Sequence, residues 1–376
     1  MNRRVYFDYS STTNVHPDVL KAYMDLLKTT YVNSESLYDE GTMVSRNLEK
    51  ARNAISELLK VHPDEIIFTS GASEANSEAI KSVSFSMPEK KHIITSQIEH
   101  SSVLNACKQM EDVFGYRVTY LPVNEQGIVS VKDLKNALDN DTSVVSLMSV
   151  NNETGAINPI EEIKEIVKKT SSAYMHVDMT QAIGKVPCSF ENIDLASMSA
   201  HKIEGLKGSG ILVKKKHVPF VPLINGGEQE YGLRGGTNNA CTNMVFAKTL
   251  RIALENEKKY HDYVQKLQTL LLNQLKEIDG VEINNPENNL CSIVNFSYEN
   301  IPSEVMQNAL NRMGFMISAR STCESKSNNP SYVLKAMGYS DRRASSCIRI
   351  SLSYHNTEED ILDFIKALKE IISHYG

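Results

Sequence analysis

The segment Ser197-Met198-Ser199-Ala200-His201-Lys202-Ile203-Glu204-Gly205-Leu206-Lys207-Gly208 sets a histidine and a lysine side by side among small hydroxyl residues and glycines. Apolar runs flank it at 193–199 and 210–213, so the pattern predicts Lys202 in a turn between two strands, where its amine can reach a bound aldehyde. Taken alone, such a turn is more often a basic surface turn. Its meaning depends on what else the chain brings to the same place.

Other residues capable of chemistry recur where apolar runs end. The strand-like run 65–69 gives way to Ser70-Gly71-Ala72-Ser73-Glu74-Ala75-Asn76 and a helix-compatible stretch at 77–83. Small residues there let the backbone close on a ligand, and the free amides of a helix start favour an anion such as phosphate, although an ordinary capped helix reads the same. His100 follows the run 91–95, where it can trade protons near neutrality or stack on an aromatic ring. Asn152 follows the nearly continuous apolar run 144–150, the mark of a buried parallel strand. In open α/β sheets ligands bind beyond the carboxyl ends of strands, which gives Ala72, Ser73, His100 and Asn152 one address. Asp178 closes a further strand. A carboxylate against a pyridine nitrogen keeps it protonated and makes the ring an electron sink, as pyridoxal 5'-phosphate (PLP) chemistry requires; a helix N-cap is the plainer reading.

Two loops add candidates. Residues 225–238 contain five of the chain's 18 glycines and carry Arg234 and Thr237, which can bring donors to an anion unless the loop is simply a mobile surface segment. Residues 318–330 form a polar stretch without periodicity that bears Cys323, a thiol placed either as a mobile nucleophile or incidentally.

The elements that must position these residues read as an α/β chain. Helical spacing at Leu48, Ala51, Ile55, Leu58 and Leu59 precedes the first strand, and helix-compatible stretches separate the later ones. From 240 to 278 the pattern is largely helical, a domain change is expected near 255, and the remainder reads as a smaller α/β layer. At 376 residues the chain is long enough for two domains. Forty Lys and Arg against 46 Asp and Glu leave a net charge of -6, which argues against a nucleic-acid surface. No apolar run approaches the roughly 18 residues that span a bilayer, and the start lacks the core of a signal peptide, so a cytoplasmic protein is expected. The six cysteines, at 107, 188, 241, 291, 323 and 347, show neither disulfide nor zinc spacing.

Together these motifs resemble the cysteine desulfurase family of PLP enzymes, the class-V branch of fold type I. The resemblance rests on FDYSSTT at 7–13, TSGASEAN at 69–76, EH at 99–100, NNETG at 151–155, HVDMTQAIGK at 176–185, SAHKIEGLKG at 199–208, GLRGGTN at 232–238 and RISLS at 349–353. It implies a large PLP-binding domain over 15–255, with a mainly parallel seven-stranded sheet sandwiched by helices. Residues 1–14 and 256–376 would form a smaller α/β domain carrying the cysteine loop. It implies PLP held by Lys202 as a Schiff base, Asp178 on the pyridine nitrogen, Gln181 on the phenolic oxygen and His100 stacked on the ring. The phosphate would be held by Ala72, Ser73, Ser199 and His201, with Thr237 reaching across a homodimer. Asn152 and Arg349 would meet the substrate carboxylate, and Cys323 would accept sulfur from L-cysteine for an acceptor protein. No metal, membrane or direct nucleic-acid contact is implied.

The chain departs from the family pattern around the nucleophile, where Arg320-Ser321-Thr322 stands for Gly-Ser-Ala, at Asn33-Ser34-Glu35-Ser36-Leu37-Tyr38, and at Gly205-Leu206-Lys207-Gly208. Another PLP lyase of this fold, acting on selenocysteine or cysteine sulfinate, and a desulfurase-like scaffold for a sulfur acceptor are the alternatives. Iron-sulfur assembly, tRNA thiolation, thio-cofactor synthesis and DNA phosphorothioation are all compatible destinations for the sulfur.

Overall fold

The structure, a computed structural model, describes residues 3–319 and 329–375. Its largest element is a seven-stranded sheet in the spatial order Ile66–Thr69, Gly210–Lys214, Leu195–Ser199, Tyr174–Asp178, Thr142–Met148, His92–Ser96 and Arg117–Leu121. Gly210–Lys214 runs antiparallel to both its neighbours, and the remaining pairings are parallel. Successive side chains of a strand point to opposite faces. Phe68, Ile94, Val145, Val177 and Ile211 accordingly pack on one face with Leu48, Ile55, Ile163 and Phe246 from three helices. Ile67, Val144, Leu195 and Leu212 face the other way, against Ala75, Ala79 and Val83 of the helix Ala72–Ser86. Burial on both faces explains why these strands read as continuous apolar runs.

A second core lies around the antiparallel sheet Val281–Ile283, Ile293–Tyr298 and Cys347–Ser351, with the helices Ser303–Arg312 and Glu358–Tyr375. The N-terminal segment joins this core: Val5–Tyr6 pairs in parallel with Phe315–Met316, and Phe7 packs edge-on against Phe364 with ring centroids 5.8 Å apart. The change expected near 255 falls inside one unbroken helix, Ala240–Lys276. Its first half contributes Phe246, Leu250 and Ala253 to the sheet core, and its second half contributes Val264, Leu267, Leu271 and Leu275 to the other. What shifts near 255 is therefore the packing partner. Among the described residues no helix is long and apolar enough to cross a membrane.

The glycine-rich loop is anchored. Glu230 and Tyr231 adopt left-handed backbone angles, φ +46° and +61°, that side-chain-bearing residues rarely take. The Glu230 carboxylate offsets this strain by accepting from Arg52 Nη1 and Nη2 and from the Phe68 amide, each at 2.9 Å. The Arg52 guanidinium in turn lies 4.8 Å from the Phe68 ring and 5.1 Å from that of Tyr231. Arg234 is committed to Glu74, with Nε donating to Oε1 at 2.8 Å. Glu230→Ala would leave the buried Arg52 guanidinium with only the half-exposed Glu49 carboxylate and the Ile66 carbonyl as acceptors, a loss of about 3 kcal/mol. A clear fall in the thermal unfolding midpoint is the expected measurement.

Candidate active site

The carboxyl ends of the parallel strands border a cavity of about 380 Å³. Ala72, Ser73, His100, Asn152, Asp178, Gln181, Ser199, His201, Lys202 and Arg349 all line it. Thr237 is exposed and is not among the residues of its own chain that do so. Cys323, with Arg320, Ser321 and Thr322 before it, lies outside the described residues.

Lys202 is delivered by the strand Leu195–Ser199 and the 3-10 turn Ala200–Lys202. Gly205 lets the chain fold back tightly there, since a Cβ on it would sit 2.6 Å from Ala200 Cβ. The lysine amine donates to the carbonyls of Ser10 at 2.6 Å and Ser11 at 2.8 Å. The same N-terminal turn grips the neighbouring residue, with Thr13 N and Oγ1 both donating to His201 O at 3.0 Å. Sequence reasoning left this hydroxyl-rich turn without a role, because the groups that hold Lys202 are backbone carbonyls, which no side-chain type reveals.

Asp178 ends the strand Tyr174–Asp178, and its carboxylate is fixed from two sides. Oδ1 accepts from Thr180 N at 2.9 Å and Oδ2 from Asn76 Nδ2 at 2.8 Å. Asn76 Nδ2 also donates to Ser102 Oγ at 2.9 Å, and that hydroxyl bonds His100 Nδ1 at 2.8 Å. The Ser102 amide donates to the same Nδ1 at 3.2 Å, so Nδ1 is an acceptor and the neutral ring carries its proton on Nε2. Asn76 and Ser102 went unrecognised in the sequence. Asn76 lies on the helix Ala72–Ser86, one turn in from its start, a position that could have flagged it.

That helix start is the anion end of the cavity. Gly71, at φ +152°, turns the chain into the helix, and Gly210 permits the close approach behind it, since a Cβ there would lie 2.5 Å from Gly71 Cα. His201 is held down at about pKa 4 by burial and by the charges of Lys202, Lys207 and Lys185. This cationic surplus beside free helix amides favours a bound anion.

At the other end Arg349 is buried. Nη1 donates to Asn152 O at 2.9 Å, and Nη2 donates to Asp8 Oδ1 at 2.9 Å and Ser11 Oγ at 2.7 Å. Much of the planar fork is thus occupied by the chain itself. Buried polar atoms are normally paired. Among the described residues Asn76 Oδ1, Asn152 Oδ1, Thr180 Oγ1 and Arg349 Nε find no partner, and all four belong to residues lining this cavity. They suit a polar ligand bearing both donors and acceptors.

Glu99, beside His100, is fully buried. Its Oε1 accepts from Ser96 Oγ at 2.6 Å and Met148 N at 3.1 Å, while Oε2 has no partner among the described residues. Burial, reinforced by Asp178 and opposed by those two bonds, pushes its carboxyl up to about 8 from 4.5. The folded state therefore holds a proton that the unfolded chain releases above pH 4.5, and stability contributed by the neutral acid is lost as pH rises from 4.5 through 8. Glu99→Gln keeps a neutral acceptor in place. The variant should melt higher relative to wild type at pH 8 than at pH 5, and thermal melts across that range check it.

Residues 5–364 match the family described as aminotransferase class-V. A protein of Clostridium botulinum named cysteine desulfurase IscS is 40% identical over 379 residues, covering 99% of this chain and 95% of its own length. Among solved structures, a NifS-like protein superposes with a TM-score of 0.93 at 38% identity, covering 99% of this chain and all of the other. SspA, solved in complex with cysteine, does so with a TM-score of 0.81 at 32% identity, covering 92% and 98%. With sequence and fold shared with these proteins over nearly its whole length, the chain belongs to the cysteine desulfurase family of class-V aminotransferases.

Proposed function

We propose that the chain is a PLP-dependent cysteine desulfurase in which L-cysteine and an enzyme thiol give L-alanine and an enzyme persulfide, whose sulfur then passes to an acceptor protein. The observation that carries this reading is the convergence on one cavity of a strand-end amine, a buried carboxylate fixed by Asn76, and a helix N-terminus. The names of the relatives and the cysteine found with SspA agree with it.

The residues present fit PLP. When bound, the cofactor supplies an aldehyde for attachment to an amine and a protonated pyridine that draws electrons from the substrate. Lys202 Nζ would hold it, Asp178 would keep the ring nitrogen protonated, and Gln181 would bond the phenolic oxygen. Ala72, Ser73, Ser199 and His201 would take the phosphate, with Thr237 supplied by a second copy of the chain. His100, with its proton on Nε2, would stack on the ring and donate, and Lys202 Nζ would move the α-proton. Arg349 Nε and Asn152 would meet the substrate carboxylate. The domain division at 14/15 and 255/256 belongs to the same reading.

Cys323 is the proposed sulfur acceptor. Every step balances: the C–S bond of cysteine breaks, an S–S bond forms on the thiol, and the thiol's proton ends on alanine. The other cysteines suit this poorly, because a thiolate is the nucleophile. Burial pushes Cys107 and Cys188 up to about 12 and Cys291 to about 11, raises Cys241, and leaves Cys347 enclosed with its Sγ on Ala319 O.

A homodimer agrees with the surface. Leu20, Met24, Leu27, Tyr31, Leu37, Tyr38 and Met43 are all exposed within 24 residues of sequence, a concentration of exposed apolar side chains that a second copy of the chain would cover.

Borohydride reduction followed by peptide mapping is expected to place a pyridoxyl group on Lys202, and an adduct on Lys185 or Lys207 instead would overturn the assignment. Cys323→Ser is expected to keep bound PLP and lose essentially all alanine production from cysteine, because a hydroxyl cannot accept the sulfur. Wild-type turnover by this variant, or a persulfide mapped to another cysteine, would remove Cys323 from the mechanism.

A further inference from the structure

Lys185 lies four residues after Gln181 in a turn and lines, instead of the cofactor cavity, a neighbouring one between the Lys202 turn and the C-terminal sheet. The turn that carries it bends at Gly184, whose φ of +68° and approach to Ala253, 2.8 Å from a Cβ placed there, leave room for glycine only. Lys185 Nζ donates to Gln181 Oε1 at 2.7 Å. Gln181 Nε2 donates to Ser10 O at 2.8 Å. The partners fix the orientation of this amide, since the Ser10 carbonyl can only accept and the Lys185 amine donates in either charge state. One hydrogen on Nε2 remains, and Gln181 is a wall of the cofactor cavity.

The lysine is poorly suited to its place in every other respect. Its charged neighbours, Lys202 and Arg349, share its sign, and burial first, then these two, bring its amine down to about 7. Among the described residues its side-chain hydrogen bond is to Gln181 alone, and an enclosed amine without such a partner is unfavourable.

We propose that Lys185 is a positioning residue that locks the Gln181 amide with its Nε2 face toward the cofactor cavity, and so acts on the phenolic oxygen of PLP without touching it. This rests on the reading of the cavity as a PLP seat. A Gln181 amide released from Lys185 can turn its oxygen toward the cavity, presenting an acceptor to an acceptor. Lys202 and Gln181 share Ser10 O, so the same lock also keeps that carbonyl from being claimed by the lysine alone.

The test titrates apoprotein with PLP and follows the pH midpoint of the bound cofactor's visible absorbance, for wild type and Lys185→Met, each with Gln181 and with Gln181→Met. Loss of the lock should weaken PLP binding about 10-fold, the size of one hydrogen bond, and raise the midpoint, because the anionic phenolic oxygen loses its donor. Neither effect should grow when Lys185→Met is added to Gln181→Met. Lys185→Leu, which likewise carries no donor, is read in the same way, so a folding defect in the methionine variant alone does not decide the result. Unchanged affinity and midpoint in the soluble variants, or effects of full size that persist with Gln181→Met, overturn the proposal. A wild-type protein that takes up no PLP overturns the reading of the cavity, and this inference with it.

Discussion

The site depends on a short N-terminal turn wedged between two cores. Ser10 O accepts from both Lys202 and Gln181, Thr13 grips His201, and Asp8 and Ser11 hold Arg349. Ser10 Oγ pairs with Ser351 Oγ at 2.8 Å, tying the turn to the strand that carries Arg349. Lys202 belongs to the seven-stranded sheet and Arg349 to the C-terminal sheet, so their relative placement is set by a segment belonging to neither. Phe7 anchors that segment by its burial against Phe315 and Phe364. A group buried in this way transmits position well, because packed interiors deform little.

Electrostatics at the cavity are unbalanced in a manner that suits an anionic ligand with a cationic ring. Lys202, Lys207 and Arg349 bring positive charge, and His201 is kept neutral by burial and its lysine neighbours. Against them stand Glu74, paired with Arg234, Asp8, paired with Arg349, and Asp178, which accepts from Thr180 N and Asn76 Nδ2. Beneath it His176 is enclosed between Ser146 Oγ and Ser197 Oγ, each at 2.8 Å, and burial takes its pKa down to about 4. The histidine below the carboxylate is therefore neutral.

The Lys202 turn is also latched from the C-terminal side. Glu204 holds a left-handed φ of +63° and accepts from the Tyr354 hydroxyl and from His355 Nε2. Tyr354 stacks on Tyr260 of the long helix at a centroid distance of 3.8 Å. Strain of this kind persists only where surrounding contacts over-determine it. Here the contacts come from both cores, as do those of the N-terminal turn on the opposite side of the lysine.

Much of this was legible in the sequence. Apolar runs marked the strands, because burial on both faces removes the polar alternation, and small or polar residues at their ends marked the ligand side of an α/β sheet. The order of those blocks was enough to identify the family and to nominate Lys202, Asp178, His100 and Gln181. Sequence could not show that Asn76 and Ser102 link Asp178 to His100, because that chain joins two helices and a strand brought together only by folding. Nor could it show that Ser10 and Ser11 hold the lysine through their carbonyls, since every residue carries one. The continuity of Ala240–Lys276 across 255 was hidden for a related reason: a helix that changes partners changes its apolar face without a breaker residue. Side-chain chemistry is local and is written in the residue types, whereas backbone acceptors, buried pairings and the choice of packing partner arise from three-dimensional neighbours, and only the tertiary structure decides them.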